Sequence, residues 1–106
     1  VSYESVISLI KESVKRTGVF WKDHILQRMK QRNITVSEVL QALNEFEVIE
    51  EYRDDRPFPS YLVMGYAGFK PLHIVAAVNS EDYEIHLITV YIPDSTIWED
   101  GFRRRK

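Results

Sequence analysis

The sequence predicts a single α+β domain over residues 1–106, in which two to three N-terminal helices pack on a four-stranded, mainly antiparallel sheet. Three observations carry this. Apolar residues recur at helical spacing only over about the first 45 residues. Past Glu47 they stand in short runs rich in Val, Ile and Tyr, broken by Pro, Gly, Asn and Asp. The later connections are only a few residues long, whereas parallel neighbours need a crossover of about a dozen residues or more.

Taken in order, Tyr3, Val6, Ile7, Ile10 and Val14 form one apolar stripe, which predicts an amphipathic helix over residues 2–16 ended by Thr17 and Gly18. The apolar stretch Val19, Phe20 and Trp21 follows. Residues 22–32 read as a second helix, with Ile25, Leu26 and Met29 on its buried side. For the third, Thr35 can accept from the first free amides and Glu38 can reach back three residues, a capping box, with Ile34 and Val39 at the staple positions. Val36, Val39, Leu40 and Leu43 continue its stripe to about Asn44 or Glu45. Strands are expected over residues 48–52, 61–66, 72–78 and 85–91, with Pro57 and Pro59 marking a loop at residues 53–59. Pro93 stops the last strand, and Asp94 or Ser95 can begin a short helical turn. No internal repeat or linker divides the chain.

The absence of cysteine removes disulfide frameworks and thiolate metal sites, and it fits a reducing compartment, so a cytoplasmic location is expected. No apolar run reaches the roughly 18–20 residues of a membrane span, and no membrane partner is expected. The net charge of −2 is unevenly spread: residues 1–35 carry +4, 36–60 carry −5, 61–99 carry −4 and 100–106 carry +3. A basic beginning and a basic end could meet as a patch for a polyanion. The acidic middle suits a basic partner or solvent.

Two constellations could carry chemistry. His24, Arg28 and Arg32 fall at i, i+4 and i+8 of the second predicted helix, where two guanidinium forks and an imidazole would project together and could grip phosphate oxygens beside a proton-transfer group. The plain alternative is a solvated helix face. His73 and His86 lie on consecutive strands and Tyr91 closes the second; if Asn79 pairs with Glu84 the two histidines share a face, and with a one-residue slip His73 joins Tyr91 instead. Three scattered histidines without ligand spacing predict no metal site, and no cofactor motif is present. The tail Phe102, Arg103, Arg104, Arg105, Lys106 is a cationic cluster able to contact a phosphate backbone, tethered by Trp98 and Phe102.

The run from His24 through Arg28, Met29, Arg32, Ile34 and Thr35 resembles the opening block of the bacterial family known as domain of unknown function 4258. Val48 to Tyr52, Pro71 to Val75, Thr89 to Asp94 and the Trp98 to Arg105 close resemble its later blocks in order, so the likeness covers residues 19–106 and leaves the helix in residues 1–18 outside the pattern. Members of that family resemble small RelE-like toxins, which cleave RNA without metal and often stand beside a zinc-finger antitoxin protein. The resemblance implies a metal-independent endoribonuclease with His24 or His73 as base, Tyr91 or the other histidine as acid, and Arg28, Arg32, Arg103, Arg104 and Arg105 on RNA phosphates. That reading requires His24, Arg28 and at least one of His73 or Tyr91 to line one open concavity. The rival expectation is a non-catalytic interaction domain, or a degenerate toxin fold, whose sheet edge near residues 47–52 or acidic middle binds another protein or a second copy as a homodimer.

Overall fold

The computed structural model describes residues 3–106, so the expected helix start at Ser2 lies outside the described residues. Among those residues stand three helices, α1 (Glu4–Lys15), α2 (Ile25–Gln31) and α3 (Val36–Ala42). Five strands accompany them: β1 (Val19–Trp21), β2 (Phe46–Tyr52), β3 (Ser60–Ala67), β4 (Lys70–Asn79) and β5 (Glu84–Tyr91). They form one sheet in the order β1-β5-β4-β3-β2. The expected four-stranded sheet is thus corrected to five strands and to mixed pairing. β2 to β5 run antiparallel, and β1 pairs parallel with β5 through Val19↔Ile85 and Trp21↔Leu87. Three residues are too few to show a period, and their partner lies far along the chain, so the local pattern could not announce this strand.

The helix ends follow from backbone chemistry. After α1, Thr17 takes a positive φ of 59° and the Gly18 amide donates to the Ser13 carbonyl at 2.7 Å, closing the last turn as a Schellman motif. Gly18 is required for space, because a β-carbon there would overlap the Tyr83 carbonyl oxygen. After α2, Asn33 takes the same role with φ 60°, and the Ile34 amide donates to Met29 at 2.8 Å. α3 begins with the expected capping box: Glu38 donates its amide to Thr35 Oγ1 at 3.1 Å, and Thr35 donates its own to Glu38 Oε1 at 2.9 Å. Ile34 and Val39 are both buried beside it.

All three helices cover one face of the sheet. Ile10, Ile25, Met29, Val39 and Ala42 share a core with Tyr61 and Val63 of β3, Leu72, Ile74 and Ala76 of β4, and Ile85, Leu87 and Val90 of β5. Alternation then sends Glu47, Glu50 and Tyr52 of β2, Leu62 and Met64 of β3, His73 of β4 and His86 and Tyr91 of β5 to the opposite, helix-free face. Two β-bulges adjust this alternation, one at Ile49 and one at Ile88.

Candidate functional site

The bulge at Ile88 decides the question that the sequence leaves open. Near the turn Asn79 pairs with Glu84 and Ala77 with His86; past the extra residue the register has moved, and His73 pairs with Tyr91. Both alternatives hold, each on its own side of the bulge, so His73, His86 and Tyr91 all point to the helix-free face. His86 is stacked between Phe20, with centroids 5.0 Å apart, and Phe58 at 5.8 Å. His73 meets Tyr91 and not His86.

His73 sits on the middle strand of the sheet and is wholly buried, at 0% exposure. Its cover is the C-terminal tail, which returns across the helix-free face. Trp98, 3% exposed, meets the imidazole edge-on with centroids 4.5 Å apart, and the Phe102 carbonyl lies 2.8 Å from Nε2. A carbonyl only accepts, so Nε2 carries the proton. Nδ1 is therefore the acceptor, and the Tyr91 hydroxyl donates to it at 3.1 Å. Burial holds the His73 pKa below its ordinary value and pushes that of Tyr91 up, which keeps both groups neutral. Each imidazole nitrogen has a partner, so neither is free to take a proton from another molecule in this arrangement.

Beside this pair, β2 supplies a carboxylate. Glu50 accepts from the Tyr52 hydroxyl at 2.6 Å and from Arg105 Nε and Nη2 at 3.1 and 3.3 Å. The Arg105 bond holds the Glu50 carboxyl below its usual range, while burial and the Glu50 contact push Tyr52 up to about 12. Arg105 also lies over the Trp98 ring at 4.7 Å, and Arg103 is ion-paired with Glu47. Glu47, Glu50, Tyr52, Trp98 and the Phe102 carbonyl form this site together with His73 and Tyr91. The sequence signal for them was the pairing of an acidic β2 with a basic tail, which composition alone shows as two segments of opposite charge.

The predicted helical row is not assembled. α2 starts at Ile25, and His24 precedes it with φ 64°, so its side chain leaves the backbone in a different direction from the helical positions. Arg28 is exposed on α2, whose buried side packs on the other face of the sheet. Arg32 caps the same helix and donates to the Val90 carbonyl at 2.7 Å and to Thr89 Oγ1 at 3.4 Å. That carbonyl lies on the stretch of β5 beyond the reach of β1, and the guanidinium satisfies an otherwise open edge. The structure therefore brings His73, Tyr91 and Arg105 together, with Arg103 nearby on Glu47; Arg28 stands on the helix-covered side, His24 is exposed ahead of α2, and the Arg32 guanidinium is held at the β5 edge by Val90 and Thr89. Arg104 is exposed, its carbonyl accepting from the Glu99 amide at 2.8 Å. Among the described residues, no group of three His, Asp or Glu is arranged to hold a metal ion, and no helix is long and apolar enough to cross a membrane.

No curated protein and no solved structure matches this chain. A family model does, from the end of β1 to the residue after β5, so that α1 and the Trp98 to Arg105 close both lie beyond the matched span. With residues 21–92 matched, more than half of its length, the chain belongs to the family described as Domain of unknown function (DUF4258).

Proposed function

We propose that this chain is a non-catalytic interaction domain whose helix-free sheet face holds a cationic segment. One observation carries the reading: the strands place Glu47 and Glu50 on this face and no Lys or Arg, and the cations that meet those carboxylates come from the tail. An RNA phosphodiester brought to His73 would need the tail to leave, and it would then face two carboxylates without their arginines. Like charges at such distances oppose binding, whereas a basic polypeptide is favoured.

The test is cleavage and growth. Purified protein incubated with single-stranded and ribosome-bound RNAs is expected to leave them intact, and induced expression of wild type and of His73→Ala is expected to give equal growth. Cleavage by the wild type that His73→Ala abolishes would overturn the proposal.

A second reading is favoured by the His73–Tyr91 bond itself: a RelE-like, metal-independent RNA-cleaving toxin held shut by its tail, in a toxin-antitoxin type system of the cytoplasm. With the tail displaced, His73 would act as base and Tyr91 as acid, with RNA as substrate and a zinc-finger antitoxin protein as partner. Cleavage that appears only when Trp98 is replaced by Ala would support it over the first.

A further inference from the structure

Resting on the interaction-domain reading, we infer that the C-terminal strap, residues 94–106, is a resident ligand of the helix-free face, and that this face exchanges it for a cationic, tryptophan-bearing segment of another protein. The strap is docked on the sheet without being woven into it. Its backbone bonds run within itself: Trp98 to the Asp94 carbonyl at 2.9 Å, Glu99 to Arg104 at 2.8 Å, Phe102 to Glu99 at 2.8 Å and Lys106 to Ile97 at 2.7 Å. Among the described residues, the contacts that hold it to the sheet include a buried aromatic ring, a carbonyl on His73 and the ion pairs of Arg103 and Arg105. It can leave without breaking a strand-to-strand hydrogen bond.

The chemistry of a replacement is set by what the strap uncovers. Glu47 and Glu50 stand on one strand on either side of the bulge and call for two cations; the slot over the His73 edge calls for a flat aromatic side chain. Arg105 lying on Trp98 shows that one segment satisfies both demands at once. Room for more of a partner already exists, because a cleft of about 500 Å³ lined by Phe46, Glu47, Met64, Tyr66 and Arg103 opens beside the strap. Arg103 and Arg105 are more than half exposed in their ion pairs, so neither pair binds the strap strongly. The strap holds its place through the buried Trp98 ring and by proximity, since a tethered segment reaches an effective concentration in the millimolar range.

The experiment uses the full chain and, as probe, a fluorescein-labelled synthetic peptide with the sequence of residues 94–106, read by anisotropy. The wild type is expected to bind it weakly. The double variant Arg103→Glu/Arg105→Glu loosens the strap through exposed positions and is expected to bind it roughly fivefold more tightly. Glu47→Lys/Glu50→Lys is expected to abolish binding, as is a peptide with Ser in place of its tryptophan. Circular dichroism establishes that each variant is folded; should the double variant not fold, Arg105→Gln alone is expected to show a smaller gain in the same direction. Equal affinity in wild type and loosened variant, or binding that survives the Glu47 and Glu50 substitutions, overturns the inference. A wild type that runs as a tail-exchanged dimer overturns it in favour of a second copy as occupant. RNA cleavage by the same preparations would sink the interaction-domain reading, whereas peptide failure with RNA left intact sinks only the exchange.

Discussion

Replacing Trp98 with Ala is expected to detach the strap and lower stability by about 3 kcal/mol. The residue is 3% exposed, and truncating a buried tryptophan to alanine removes about 3–5 kcal/mol of transfer and packing energy. The contact with Arg105 adds about 0.5–1 kcal/mol. The loss has a ceiling, because a detached strap has nothing more to lose: the sheet and the helix-side core, which holds none of the strap, stay intact. Against a domain stability of about 5–15 kcal/mol the variant therefore remains folded. Urea unfolding followed by far-UV circular dichroism is expected to show a midpoint about 2 M lower, taking a slope of about 1.5 kcal/mol/M. Hydrogen exchange should show the Glu99 and Lys106 amides, both bonded within the strap, losing protection while β3 and β4 amides keep theirs. A loss under about 1 kcal/mol with those two amides still protected would refute the claim that the indole anchors the tail.

Three further outcomes are expected. Because the His73 pKa is lowered in the fold from 6.5, the unfolded chain binds more protons just below that value, so stability falls as pH drops from about 6.5 toward the folded pKa. Urea midpoints at about pH 7.5 and 5.5 should show a fall in wild type that is smaller in His73→Asn. Gly65→Ala should destabilise by about 2 kcal/mol or more, since the new methyl would overlap the Ala42 carbonyl oxygen of α3; a thermal midpoint within a degree or so of wild type would count against that packing. Thr35→Ala removes the acceptor for the Glu38 amide and should cost about 1 kcal/mol in urea unfolding, with Thr35→Ser retaining most of it.

Local chemistry was legible wherever the cause lay within a few residues. The α3 capping box is complete in four residues of sequence, Thr35 to Glu38, and the structure realises both of its bonds. The three helices and the four antiparallel strands follow from periodicity and short loops, with ends displaced by at most three residues; α2 starts three residues late, after His24 takes a positive φ. His24 shows the limit: the i, i+4, i+8 spacing predicts a helical row through it, but a left-handed residue at that position breaks the row before its first turn.

The amino-acid order by itself determined the α+β class, the capped third helix and the two oppositely charged segments, because those depend on neighbours in sequence. Only the tertiary structure decided that Val19–Trp21 is a strand, that a bulge at Ile88 brings His73 to Tyr91, and that Arg103 and Arg105 of the basic tail pair with Glu47 and Glu50 of acidic β2. Each of these is a pairing between groups 18 or more residues apart. Its energy depends on register and on competing partners across the sheet, which no local spacing rule contains.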